Sequence, residues 1–156
     1  MTTEHVREYL KQFGRDQEVL ELELSSATVS LAAEALNVEP GRIAKTMSFY
    51  DADKTKCILV VAAGDKKIDN AKFRAEFNIK SKMLQSKDVE KLTGYAPGGV
   101  CPFANPESAR VFLDVSLKRF ETVYPACGTD NSAIKLTCDD LEKLSKSVKW
   151  IDITKD

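Results

Sequence analysis

One histidine, His5, occurs in 156 residues, and its scarcity excludes a good deal of chemistry. Ser-His-Asp and Cys-His mechanisms need an imidazole as base, and His5 falls in an N-terminal segment prone to fraying. Cysteine is also sparse. Cys57, Cys101, Cys127 and Cys138 show no CxxC spacing, so with a single histidine no zinc or other metal site is expected. Free thiols in a reducing compartment are expected in place of two disulfides. No apolar run approaches the roughly 20 residues that span a bilayer. Glu4 and His5 interrupt any signal-peptide pattern at the start. A cytoplasmic chain without a membrane segment follows. Net charge is small at −1, and a pI near 5.9 does not suit a strong non-specific nucleic-acid binder.

The chain does contain enough apolar residue, 43%, for a full core, and at this length one domain over residues 1–156 is expected, monomeric by default. The charge is unevenly spread. Residues 1–40 carry eight acids and three bases, residues 41–91 twelve bases and seven acids, and residues 92–156 eight bases and nine acids. The middle third can present a basic face to a polyanion, or simply a solvated, lysine-rich surface.

Helical spacing of Val6, Tyr9, Leu10 and Phe13 predicts a first helix ended by Gly14. Leu20, Leu22 and Leu24 alternate with Glu21 and Glu23, as in a half-buried strand. Thr28 caps a helix through Leu31, Ala32, Ala35 and Leu36, and Asn37 ends it. Pro40 opens a short third helix carrying Ile43 and Ala44. Strands are expected over 46–50 and 56–62, joined by the turn at 51–54, with the apolar second one central in its sheet. Asp69 caps a helix with Phe73 and Phe77. Residues 82–85 read as a weak strand, and Ser86 as the cap of a helix through Val89 and Leu92. Residues 110–114 and 122–127 are strands. The turn at 128–131 makes a hairpin of 122–127 with 133–136. Thr137 and Asp140 resemble a capping box, and residues 148–153 form a last strand. The mixture predicts an α/β protein of the α+β type, a mixed sheet with helices packed on it.

Two features carry candidate chemistry. The run TGYAPGGVCPF, Thr93 to Phe103, holds three glycines and two prolines in an otherwise aromatic, aliphatic or small context. Neither a helix nor a central strand tolerates that density of breakers. It reads as a shaped loop whose N–H groups around Pro97-Gly98-Gly99 can face a developing negative charge, or as a tight turn without a ligand. Lys45, in IAKTMSF, sits where a short helix feeds a strand, with a base partly buried by Ile43, Ala44 and Met47. It is a compact cation suited to an oxyanion or phosphate, or a packed stem with its ammonium in water. Cys101 lacks a histidine partner and reads as a small packed residue. Asp114 and Asp130 are isolated acids at a strand end and in a turn.

The order of these motifs, a TVSLAAEA helix, IAKTM, TGYAPGGVCPF, RVFLD and FETVYPACG, resembles the YbaK family, free-standing relatives of the editing domain inserted in bacterial prolyl-tRNA synthetases. The resemblance covers roughly residues 20–153. It implies a barrel-like mixed sheet surrounded by helices and hydrolysis of the ester that links a wrong amino acid to a tRNA, most often tRNA-Pro, without a cofactor. It places Lys45 on the family's key lysine. Gly98 and Gly99 fall on its catalytic glycine loop, beside Pro97, Val100 and Cys101. Gly128, Thr129 and Asp130 fall on a second pocket-lining segment. Lys66, Lys67, Lys72 and Arg74 become candidates for tRNA phosphates, and prolyl-tRNA synthetase a candidate partner. The attacking group would be water, with the tRNA's adjacent hydroxyl or the substrate's own side chain as alternatives. Two departures stand out. Some relatives have a histidine where this chain has Thr129-Asp130, and many have serine or threonine at Cys101. A non-catalytic module that keeps the pocket to bind a tRNA end, a nucleotide or a protein is the competing reading, and a plain structural domain the third.

Overall fold

The structure, a computed structural model, describes residues 2–23 and 25–156. A six-stranded sheet in the order β8-β6-β2-β3-β5-β9 curls into a half-barrel. Its strands are β2 (Ile43–Tyr50), β3 (Cys57–Ala63), β5 (Ala109–Asp114), β6 (Thr122–Pro125), β8 (Leu136–Thr137) and β9 (Trp150–Ile151). β3 pairs antiparallel with β2 and parallel with β5, and every residue in it is buried. That is the environment its continuous apolar sequence anticipates.

The alternation of β3 divides the core in two. Cys57, Leu59, Val61 and Ala63 face a cluster built with α1 (Thr3–Leu10), α4 (Ser86–Thr93) and α5 (Cys138–Ser145), through Val6, Leu10, Val89, Leu92, Leu141 and Leu144. Ile58 and Val60 face α3 (Asn70–Phe77). There Phe49, Phe73, Phe77 and Phe112 stack with centroids 4.7 to 4.9 Å apart. The fifth helix, α2 (Val29–Leu36), packs Ala32 and Ala33 on Ile43 at the start of β2. Thr28 caps α2 by accepting from Leu31 N–H, and Asn37 ends it in the left-handed conformation. Asp69 and Thr137 cap α3 and α5 through their side chains.

Several expectations need correction. The strand from Leu20 is only two residues long, β1 (Leu20–Glu21), paired with β7 (Ser132–Ala133), and both its residues are exposed. Leu22, just beyond it, is only partly buried, and Leu24 lies outside the described residues. Gln85, not Ser86, is the N-cap of α4, and it makes no side-chain cap bond. The 82–85 strand reduces to an isolated bridge between Phe49 and Met83. The hairpin of 122–127 with 133–136 forms, with Val123 opposite Leu136 and a bridge from Ala126 to Ala133, and β7 pairs in addition with β1. The last strand shortens to β9 beside β5.

A two-stranded ribbon of β4 (Lys67–Ile68) and β10 (Thr154–Lys155) had no signal in the sequence. Asp114, fully buried, ties it to the sheet. Its carboxylate accepts from Ser116 N–H at 2.9 Å, Ile153 N–H at 2.8 Å and the Thr154 hydroxyl at 2.8 Å. A buried acid is tolerated when its oxygens are satisfied in this way. Asp114 is therefore a structural hub.

Candidate active site

β2 and β6 run parallel and pair only at Ile43 with Tyr124 and Ala44 with Pro125. Beyond Ala44 no further β2 residue pairs with β6, and a cavity of about 210 Å³ opens in the fork. Its floor is the edge of β2 from Ile43 to Thr46. Its walls are Ser26 to Val29 with Ala32 and Leu36 of α2, Gly98 and Val100 of the glycine loop, and Tyr124, Ala126, Ser132 and Ala133. Nine of these sixteen residues are alanine, valine, leucine or isoleucine. An apolar pocket with a few convergent polar groups is the usual form of a small-ligand site.

Lys45 is the only charged residue among the described lining residues. It lies inside β2 and not at the helix–strand junction that its sequence context suggested, because pairing with β3 starts at Ala44. Its ammonium is half-buried and donates to the Lys66 carbonyl. That carbonyl immediately precedes β4, so the Asp114–β10–β4 chain of contacts fixes the cation's position. Burial lowers the Lys45 pKa from its ordinary 10.5, and the Asp65 charge opposes this only partly. Desolvation disfavours the charged form of a lysine. A titration of the ¹⁵N-labelled Lys45 side chain by NMR is expected to show a midpoint below 10.5. A chemical requirement for the cation then fails, as pH rises, sooner than it would for a free lysine.

The glycine doublet divides its work. Gly99 N–H donates to Ala96 O at 3.0 Å, and Gly98 has φ +91°. With Pro97 ahead of it this is a type II turn, which needs a positive φ at its third residue. The turn consumes the Gly99 amide. Gly98 lines the cavity, whereas Gly99 packs against Gly128, whose carbonyl oxygen would lie 2.6 Å from an added Cβ. Val100 also lines the cavity, and the exposed Pro97 does not.

Cys101, Gly128, Thr129 and Asp130 do not line the cavity either. Cys101 is fully buried and its thiol is pushed up to about 12 by that burial, so it is not a thiolate at neutral pH. Cys57 is likewise raised to about 12, and Cys127 well above its ordinary value. Neutral iodoacetamide is expected to label Cys138, the one partly exposed thiol, first. Mass spectrometry should find the other three modified only after unfolding. The turn at 128–131 acts as a brace. Asp130 O accepts from the Ser26 amide and from the Ser26 hydroxyl at 2.9 Å, and Asn131 O accepts from Leu22 N–H at 2.6 Å. Thr129 holds Ser132 through their hydroxyls at 2.8 Å. Ser26 and Ser132 of the lining are thereby placed by residues that stand outside it.

Of the four basic candidates, Lys66 and Lys67 lie at the start of the β4 ribbon, and Lys72 and Arg74 lie on α3. The Lys66 side chain is paired with Asp156, and Lys72 with Asp152 at 3.1 Å. Lys67 and Arg74 are exposed. Residues that the sequence did not flag include Ser26, Thr46, Tyr124 and Ser132. Tyr124 carries the Arg42 guanidinium 5.4 Å from its ring centroid. Thr46 alone had a legible signal, as the polar neighbour of Lys45. Among the described residues no cluster of three His, Cys, Asp or Glu could hold a metal, and no helix is long and apolar enough to cross a membrane.

This arrangement has known counterparts. Residues 25–144 match the aminoacyl-tRNA editing domain family, and the chain belongs to it. It is 50% identical over 156 residues to "Uncharacterized protein YwhH" of Bacillus subtilis (strain 168), covering 100% of this chain and 99% of that one. It is 30% identical over 123 residues to "Putative Cys-tRNA(Pro)/Cys-tRNA(Cys) deacylase EbsC" of Enterococcus faecalis, covering 78% and 74% of the two chains. A crystal structure described as "a putative trans-editing enzyme for prolyl tRNA synthetase" superposes with a TM-score of 0.88 at 26% identity, over 99% of this chain and 97% of the other. The half-barrel fold is that of the YbaK-like editing proteins.

Proposed function

We propose that this chain is a free-standing deacylase that hydrolyses the ester of a mischarged tRNA in trans, with tRNA-Pro as the favoured substrate. The observation that carries the reading is that Lys45 and Gly98 line one small, mostly apolar cavity. An aminoacyl ester is already activated, so positioning and charge stabilisation suffice for its hydrolysis. Water adds to the carbonyl carbon, the bond to the ribose oxygen breaks, and the proton ends on that oxygen. The products are a free amino acid and an uncharged tRNA end. Lys45 stabilises the negative charge that builds on the carbonyl oxygen, and Gly98 lets the main chain approach the aminoacyl group without a side chain in the way. The names of the relatives support tRNA-Pro, and prolyl-tRNA synthetase is the partner this substrate implies. Lys67 and Arg74, both exposed, are the first choices for phosphate contacts, with Lys66 and Lys72 available only by leaving their acid partners. The whole chain acts as one cytoplasmic domain.

The cavity also bounds the amino acid. About 210 Å³ with alanines at five lining positions admits a small side chain more readily than a large one. The test is a panel of tRNA-Pro charged with alanine, cysteine, serine, threonine or proline, followed by loss of ester. Hydrolysis of at least one small mischarged ester is expected, with prolyl-tRNA-Pro spared. Binding without hydrolysis of any ester would favour the non-catalytic module.

A further inference from the structure

Four aliphatic hydroxyls line the cavity, and three are already engaged. Ser26 donates to Asp130 O at 2.9 Å, Thr28 accepts from Leu31 N–H at 3.2 Å, and Ser132 is bonded to Thr129 at 2.8 Å. Thr46 is the exception: its hydroxyl is shielded from solvent and has no hydrogen-bond partner. Such a group costs free energy in the empty protein, and valine would fill the same volume without that cost. A hydroxyl retained at that position needs a partner that arrives with a ligand. Rotation about χ1 exchanges the methyl and hydroxyl of threonine between staggered wells, so the oxygen can be turned to the cavity wall.

The chemistry of the missing partner follows from the lining. Lys45 supplies a cation and hydrogen-bond donors, and no carboxylate is present. An aminoacyl ester brings a carbonyl oxygen, which Lys45 suits, and an α-ammonium group, which needs an acceptor. Thr46 and Lys45 both line the cavity from adjacent positions of β2, and their side chains alternate across the strand, so acceptor and donor do not compete for one place. We propose that the Thr46 hydroxyl accepts a hydrogen bond from the α-amino group of the substrate, and so selects aminoacyl over simple acyl esters. This deepens the deacylase reading above and rests on it.

The experiment compares alanyl-tRNA with propionyl-tRNA, which has the same shape but lacks the amino group, in the wild type, Thr46→Val and Thr46→Ser. The intrinsic difference between the two esters cancels when the alanyl/propionyl ratio of kcat/KM is compared among variants. Thr46→Val is expected to lower that ratio about tenfold or more, mainly by slowing the alanyl ester, because a site left without its polar partner discriminates strongly. Thr46→Ser should recover most of the ratio. The Thr46→Val protein should melt at or above the wild-type temperature, since an unsatisfied hydroxyl has been removed. A Thr46→Val ratio equal to that of the wild type overturns the proposal. So does a loss of both esters together with a lower melting temperature. If the wild type hydrolyses neither ester, the deacylase reading fails separately. Binding of the non-hydrolysable amides 3′-alanylamino-adenosine and 3′-propionylamino-adenosine to wild type and Thr46→Val then decides the role of Thr46. Equal preference in both proteins, or no binding of either amide, overturns it.

Discussion

Replacing Lys45 with alanine is expected to lower kcat/KM for a mischarged tRNA by about 10²–10³-fold, the usual effect of removing one preorganised donor from a developing oxyanion. The fold should survive. Lys45 is half-buried and its ammonium makes one hydrogen bond, to the Lys66 carbonyl, so the stability change should stay within about 1 kcal/mol. Lys45→Arg should not restore the rate. The ammonium is a compact donor held by a single carbonyl, and a planar guanidinium needs a wider, forked acceptor. Lys45→Met keeps the packed stem and separates the loss of charge from the loss of bulk. Single-turnover hydrolysis and thermal melting, measured side by side, give the two readouts. A Lys45→Ala protein with a rate within about threefold of the wild type would remove the cation from the chemistry and leave the cavity as a binding site.

Much of this site is legible in the sequence because its parts obey local rules. Pro97-Gly98-Gly99 can only be a tight turn or a shaped loop, and Thr28 and Asn37 mark the ends of α2 by capping chemistry alone. The apolar run of β3 announces a central strand. The misreadings arise where tertiary contacts decide. Leu20 and Leu22 have the period of a half-buried strand, yet β1 is a two-residue pairing with β7 whose residues are both exposed. Residues 133–136 keep their place in the hairpin, yet Ala133 also pairs with Leu20 of β1, a contact that no local pattern marks. The β4–β10 ribbon is two residues wide and held by Asp114, whose three donors come from residues up to 40 positions away. No window of sequence contains that information. The same reason explains why Ser26, Tyr124 and Ser132 were missed: each is an ordinary residue until the fork between β2 and β6 brings it to the cavity. The segment at 128–130, which the resemblance implies is pocket-lining, holds the lining residues Ser26 and Ser132 through Asp130 and Thr129.

That bracing makes Gly99→Ala a damaging methyl to add in this region. An alanine Cβ there would sit 2.6 Å from the Gly128 carbonyl oxygen, 3.0 Å from its carbon and 3.1 Å from the Thr129 Cα. All three are backbone atoms and cannot rotate away, so the two loops must separate. Overpacking of this kind costs roughly 1–3 kcal/mol and occasionally more. For a domain of this size each kcal/mol lowers Tm by about 2–4 °C, so a fall of several degrees is expected. Gly98→Ala is the informative control. Its Cβ would meet nothing closer than the Asp130 Cβ at 3.7 Å and the Ala27 Cβ at 3.9 Å, both ordinary contacts. Its cost is the left-handed backbone alone, about 1–2 kcal/mol. The added methyl sits at a position that lines the cavity, so activity should fall more than stability does. For Gly99→Ala the order reverses: the melting temperature drops first, and activity follows because the loosened 128–131 turn releases Ser26 and Ser132. Melting curves and initial rates for both variants test the division. Equal losses of stability in the two proteins would mean that the loops are not locked together through Gly99.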